Sequence, residues 1–454
     1  MMCLQSPRGV VAGVMLSLVC LAGCPKSEPS SSTPGSSTPV SSTTTTSGSK
    51  VESPAAAAAK RTANADDVKA AKARIEALGS RSKYSPKEGD LLKEIVIQDG
   101  SNLNADDLAL FGKLSDLTKL QIFNCRTLDD DMAAKLSGLK GLTSLALTNT
   151  VINDAAVEMI VKSFPSLTEL DLSSNTNMTN GVVKILSEMS KLQRLTLVQN
   201  QVNDIGARRL EKLKELRVLD LRGNMEAGDM ALEVVAELPK LTGFKHRSTA
   251  VNDSGMEYLS KNQTLDSLLI QDFQITDQSG PHIAKLGKLT QLEVFRCQGF
   301  GTDGVLALKG MNLTRLTLRD LPNISDRAME VFDDLPKLKR LYLHEITSVG
   351  DAGLQHLENL KSLELLDLWT VPQMTDATLD VIAKLPNLKE LTIRTTGVTD
   401  AAIEKLLAMQ SLQSLTFKEN GSVTPEGLKK LAAKKWAKLD VGSSAADAGD
   451  AAQQ

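Results

Sequence analysis

The pattern L-x-x-L-x-L, with conservative swaps, begins at Leu92 and returns at Leu117, Leu142, Leu167 and so on to Leu412, fourteen times in all. Every interval is 24 or 25 residues, and a weaker last copy, "WAKLDV", starts at Trp436. Each copy ends in alternating apolar and polar residues, which reads as a β-strand with one leucine-lined face. A unit this short cannot bury its own apolar face. It must be covered by identical neighbours, so the chain is expected to stack into a solenoid. Aromatic residues are only 3% of the sequence, so the core has to be built from leucine, valine, isoleucine and alanine.

The second half of each unit has a different period. Seven to twelve residues past the strand comes "VND", "ITD", "ISD", "MTD" or "VTD", as at Asp204, Asp277, Asp326, Asp376 and Asp400. Apolar residues at helical spacing follow, such as Ile403, Leu406 and Leu407, or Leu354, Leu357 and Leu360. The Thr, Ser or Asn before the Asp is placed to cap a helix, and the Asp suits the positive end of its dipole. The unit is therefore strand, loop, capped helix, loop.

Over residues 91–441 this unit resembles the leucine-rich repeat of the strand-plus-helix type. The resemblance implies an α/β solenoid, a curved horseshoe with a parallel sheet on the concave side and helices on the convex side. Repeats of this class also occur in ubiquitin-ligase receptors, but no F-box-like segment is visible. Cys125 and Cys297 each lie three residues past the last apolar strand residue, where other units have Asn175, Asn200, Asn224 and Asn420. The resemblance implies that such a residue points inward and bonds the loop backbone. Seven repeats separate the two cysteines, roughly 30 Å or more at about 4.8 Å per strand. A disulfide, with its Cα separation of roughly 4.4–6.8 Å, is excluded.

The first residues read as an address. Arg8 precedes the apolar run "VVAGVMLSLVCLA", which ends in Leu21-Ala22-Gly23-Cys24. This end resembles the lipobox of bacterial lipoproteins, where residues 1–24 act as the signal and the cysteine becomes acylated. It implies lipidation at Cys24 and a place in the bacterial cell envelope, at the outer membrane or the periplasmic face. A plain secretory signal is the competing reading. Residues 25–63 are rich in Ser, Thr and Pro and read as a disordered tether. As a coil, such a length reaches on the order of 35–40 Å. Residues 64–90 are expected to form a capping segment, with a helix from Asn64 as N-cap to Gly79 and an apolar stripe of Val68, Ala71, Ile75 and Leu78. Residues 442–454 read as a disordered tail.

Several motifs invite chemistry and are better explained by the repeat. The recurrent Asp could suggest paired carboxylates, but a residue at one offset in most units serves the unit. "GFGTDG", residues 299–304, matches G-x-G-x-x-G between a strand and a helix, with Asp320 about twenty residues on. Yet every unit here is strand–loop–helix, and Gly304 falls in the small-residue slot of Gly255, Gly353 and Ala401. His246, His282, His344 and His356 occupy different unit positions with no metal-ligand spacing, and His246 sits in an apolar strand slot. No metal, cofactor or catalytic residue is expected, and the chain reads as a non-enzyme.

The polar face of the strands carries the functional reading. In parallel, in-register strands equivalent positions stack as rows about 4.8 Å apart. The row just after the second apolar residue contains Arg222, Arg247, Gln271, Phe295, Arg319, His344, Trp369, Arg394 and Lys418. The next row adds Tyr342 beside Asp367, and the one before it Arg315 and Arg340. An aromatic-poor chain thus gathers Phe295, Tyr342 and Trp369 in four consecutive strands among arginines, the side chains that dominate interface hot spots. A binding face for a protein or peptide follows, on a monomer. The competing reading is a solvated face in which Arg319 and Arg394 merely cover the rings. Asp220, Glu293 and Asp367 interrupt the positive charge, and net charge is −3, so nucleic acid is not expected. A passive envelope spacer is the alternative from a different class.

Overall fold

The computed structural model describes residues 54–79, 82–84 and 92–442, with side chains from residue 65 onward. The signal run, Cys24, the tether up to residue 53 and the tail after residue 442 lie outside the described residues.

Among those residues, sixteen strands form one sheet in sequence order. Equivalent leucines stand side by side, as in Leu316↔Leu341↔Leu366↔Leu391. Leu341, Leu343, Leu366 and Leu368 are fully buried, and burying each contributes about 2 kcal/mol. Short helical segments return the chain on the other side, such as the α-helix Asp376–Ile382 and the 3-10 helix Asp326–Asp334. A helix is about 10 Å wide and strands sit about 4.8 Å apart. With one of each per repeat, the sheet lies on the concave side. The fold is a leucine-rich repeat solenoid of the α/β class.

Two expectations are corrected at the amino-terminal end, the start of the capping helix and the end of the tether. The capping helix runs Pro54–Ala77, so it starts ten residues before position 64 and Asn64 lies inside it. The run Ala55–Ala59 explains the extension: alanine is the strongest helix former, and proline suits a first helical position. The tether therefore ends before Pro54. Over the repeats the sheet is parallel as expected, and the capping segment adds one strand, Ser82–Tyr84, antiparallel to Glu94–Ile97. The stripe itself is as expected: Val68, Ala71 and Ile75 are buried, and Leu78 packs against the core at its edge. Arg74 fastens the helix to the first repeat, with Nε donating to Asp107 Oδ1 at 2.8 Å and a second nitrogen to Oδ2 at 3.0 Å. At the far end, Trp436 donates its indole N–H to the Leu431 carbonyl at 2.7 Å, while Leu439 and Val441 pack on the last repeat.

The repeated Asp does more than favour its own helix dipole. Its carboxylate reaches the next repeat and accepts that repeat's capping backbone N–H. Asp130 accepts from Asn153 N (2.8 Å), Asp154 from Thr179 N (2.8 Å), Asp204 from Gly228 N (2.7 Å), Asp376 from Thr399 N (2.9 Å) and Asp400 from Thr424 N (2.8 Å). A threonine hydroxyl often adds a second bond, as from Thr399 to Asp376 at 2.6 Å and Thr424 to Asp400 at 2.7 Å. Asn180 does the same with its amide oxygen, accepting from Asn203 N at 3.1 Å. Each repeat is thus pinned to the next through a helix start that would otherwise present unpaired donors.

The same ladder explains the glycines. In "GFGTDG", the backbone N–H groups of Gly301 and Gly304 donate to Asp277 of the preceding repeat at 2.6 and 2.9 Å. A Cβ on Gly304 would sit 2.8 Å from Asp277 Oδ1, and one on Gly353 2.7 Å from Asp326 Oδ1. The slot needs a small residue because the neighbour's carboxylate already fills the space. Register places Ala402, three residues after the cap Thr399, in this slot; Ala401 is one residue out.

A second ladder runs under the sheet. Asn175, fully buried, donates to the carbonyls of Leu147 (2.7 Å) and Leu172 (2.9 Å) and accepts from Thr150 N (2.9 Å). Cys125 and Cys297 occupy this slot as buried free thiols. The residue before the slot adopts left-handed backbone in repeat after repeat, as at Asn124 (φ 58), Asp272 (φ 61), Glu345 (φ 57) and Glu419 (φ 55). That conformation is unfavourable for non-glycine residues by about 1–2 kcal/mol. A backbone bond to the next repeat offsets it, as Glu345 N to Trp369 O at 2.7 Å.

Two outcomes follow. For Asp351, burial alone would raise the pKa, but hydrogen bonds from Thr375 and Thr378 outweigh it and hold the carboxyl below its ordinary value. Asp253 is lowered in the same way through Ser279 and Thr276. A folded pKa below the unfolded one means stability that is complete above the ordinary carboxylate range and is lost as pH falls through the folded value. Asp351→Ala, which orphans three donors, is expected to lower stability by about 1–3 kcal/mol in urea melts at neutral pH. Asp351→Asn should fall less, and its loss between neutral and about pH 3 should be smaller than the parent's. Second, burial pushes the Cys297 thiol up to about 12. Iodoacetamide should leave Cys297 unmodified in the native protein and label it fully in urea, read by peptide mass spectrometry.

Candidate functional site

The strands Gln291–Phe295, Arg315–Arg319, Arg340–His344, Leu365–Val371 and Glu390–Thr396 are consecutive and in register. The register sets Phe295, Arg319, His344, Trp369 and Arg394 in one row across five strands. Alternation sends the leucines to the core and these side chains to the concave face, where all five are half-buried. Trp369 points away from the core because its strand position leaves no other direction.

It is not bare there. The Arg319 guanidinium lies 4.4 Å from the Phe295 ring centre and 5.1 Å from that of Trp369. Arg394 covers Trp369 at 5.2 Å. His344 stands edge-on to Trp369 at 5.4 Å and to Tyr342 at 5.9 Å. Arg315 stacks on Tyr342 at 4.8 Å. Seven of the eight expected side chains thus form one contiguous cluster. Arg340 stands beside Arg315 in register, exposed, and makes none of these ring contacts. Each cation–π pair is worth about 0.5–1 kcal/mol when exposed and more when desolvated.

Acids missed in the sequence lock the arginines. Arg394 makes a two-pronged pair with Glu419, 2.7 Å at each contact, and Arg319 meets Glu345 at 3.0 Å. Hydrogen bonding to Glu419 raises the Arg394 pKa, and the reciprocal bond holds Glu419 below the ordinary carboxylate range. Asp272 is shared by Arg247 (2.5 Å) and Arg296 (2.7 Å), and Arg296 also covers Phe295 at 4.5 Å. Asp272, Arg296, Glu345 and Glu419 all sit at the left-handed position that follows the strand. A reading of that row along the sequence would have found them.

Two polar atoms in the cluster are buried without a hydrogen bond, Arg319 Nε and His344 Nε2. His344 Nε2 is 3.2 Å from Asp367 Oδ1, close enough for attraction but off the axis a hydrogen bond needs. The other sites weighed from the sequence are structural. His246 is fully buried, with ring nitrogens 3.1 Å from Leu221 O and 2.7 Å from Ala227 O, and burial pushes its pKa down. Among the described residues no group of three or more His, Cys, Asp and Glu side chains is placed to hold a metal ion.

No family profile and no curated protein matches this chain. Solved structures do resemble it. An internalin (inlF) from Listeria monocytogenes is 20% identical, covering 72% of this chain and 86% of its own, with a TM-score of 0.43. The yeast Rad7 and Elc1 complex gives 18% identity over 86% of this chain and 84% of the other, with a TM-score of 0.47. A plant peptide hormone receptor, RGFR1 in complex with RGF2, gives 14% identity over 80% and 72%, with a TM-score of 0.36. At these identities the likeness is one of fold.

Proposed function

We propose that this chain is a non-enzymatic scaffold that binds a protein or peptide partner on its concave sheet face, as a monomer held to a bacterial envelope membrane by lipidated Cys24. One observation carries the binding reading. Phe295, Tyr342 and Trp369 converge on one half-exposed patch in a chain with 3% aromatics. Nothing in the core requires them there. Arginines held by carboxylates keep the rings in place before any partner arrives, so little conformational entropy is lost on binding. The anchor rests on "LAGC" after the apolar run, and the Ser/Thr/Pro tether before Pro54 supplies reach. Envelope localisation follows from the same residues, and sets this chain apart from a ubiquitin-ligase-type receptor.

A second reading, the passive spacer, has one observation in its favour: Arg319 and Arg394 already cover Trp369. The two readings differ in the effect of substitution. With a partner recovered from envelope extract, Trp369→Ala and Arg319→Ala are each expected to weaken binding by about 2 kcal/mol, roughly 30-fold in Kd, by isothermal titration. Unchanged affinity in both variants would leave the spacer as the better account. For the anchor, mass spectrometry of the mature chain should find Cys24 first and acylated, and Cys24→Ala should leave the membrane fraction. A mature chain starting elsewhere refutes the anchor without touching the binding face.

A further inference from the structure

Six arginines along the strands from Arg194 to Arg394 meet a carboxylate. Arg194 meets Glu169 at 3.7 Å, Arg222 meets Asp220 at 2.8 Å, and Arg247 and Arg296 share Asp272. Arg319 and Arg394 have Glu345 and Glu419. Arg315 and Arg340 have no such partner among the described residues, although they are nearest neighbours in register. Their backbones are about 4.8 Å apart, and within those residues neither guanidinium makes an ion pair, although Glu293 and Asp367 stand one row on in the flanking strands. Arg315 also borders a depression of about 180 Å³, lined with it by Lys245, Ser267, Gln291 and Glu293. On the other side Leu365, half-exposed, follows Arg340 in the same row, and Tyr342 lies under Arg315.

We propose that Arg315 and Arg340 form a carboxylate subsite that receives an acidic side chain or the terminal carboxylate of the bound peptide. This rests on the sheet-face reading above and names the chemistry of its ligand. Guanidinium groups match a planar carboxylate with paired N–H donors. The repulsion between the two arginines is relieved by an anion that sits between them, and the aromatic cluster two rows away takes the apolar neighbours of that anion. Glu293 and Asp367 flank the pair on the middle row, and they disfavour the continuous negative charge of a nucleic-acid backbone.

The test uses the full chain, immobilised, and three pools of labelled random decapeptides. One contains Asp and Glu with an amidated end, one lacks acids but keeps a free carboxyl end, and one lacks both. Either of the first two should be retained at least about tenfold better than the third, the scale of one charged hydrogen-bonded contact. Which of them is retained tells side-chain from terminal carboxylate. Arg315→Gln with Arg340→Gln should abolish that preference with an unchanged thermal melt, and Arg315→Glu with Arg340→Glu should transfer it to a Lys-containing pool. Equal retention of the three pools, a preference that survives the Gln pair, or stronger retention of a single-stranded DNA decamer overturns the subsite. If Trp369→Ala removes retention while the Gln pair does not, the sheet-face reading stands and this inference alone falls. If no pool is retained, both fall.

Discussion

The bond from one repeat's Asp to the next repeat's capping N–H is the interaction on which this architecture depends. A helix start leaves donors unpaired, and an isolated repeat has no way to satisfy them all. By supplying the acceptor from the preceding unit, the chain makes each helix start conditional on its neighbour. The requirement also confines the period, since the bond spans only 23 to 25 residues along the ladder. It fixes residue size as well, since the third helical position must stay small to admit the oxygen, as at Gly304 and Gly353.

A sheet held this rigidly becomes a platform on which side-chain rows have fixed spacing. The aromatic and arginine cluster uses that spacing. Arg319 spans the distance from Phe295 to Trp369 across His344, and the acids that restrain the arginines come from the left-handed turn at the end of each strand. The turn is unfavourable for those residues, yet it aims Asp272, Glu345 and Glu419 back over the face. Structural strain and site geometry are therefore the same feature seen from two sides.

Much of this was legible in the sequence because a solenoid converts position in a repeat directly into position in space. The strands, the buried leucines, the inward Asn and Cys slot and the row from Phe295 to Arg394 all follow from counting. What escaped was whatever depended on contact between repeats. Asp204 and its equivalents read as helix-dipole partners because their acceptor role lies 24 residues away in sequence. The first turns of the helix from Pro54 are plain alanine with no apolar stripe to announce them. The antiparallel strand Ser82–Tyr84 has three residues and no pattern. Arg340 shares a row with Arg315 but stands outside the cluster, because register does not say which way a long side chain leans.

Two rungs of the ladder lack a carboxylate, the amide of Asn180 and the hydroxyl of Thr302, and only the second has its acid turned away. At Thr302 a hydroxyl replaces the carboxylate and accepts from Ser325 N at 2.9 Å, while Asp303 is displaced outward to meet Arg327. In an array whose cooperativity is the product of its nearest-neighbour couplings, the weakest coupling decides where the molecule divides. Partial unfolding is expected to break here, leaving an amino-terminal block that ends after the helix Thr302–Leu306, near Gly310, and a carboxy-terminal block from the strand Arg315–Arg319 that melts on its own. Phe295 belongs to the first block, and Tyr342 and Trp369 to the second. A partner that grips all three would therefore act as a splint across the joint, and its binding would raise the melting cooperativity of the whole solenoid as well as its stability.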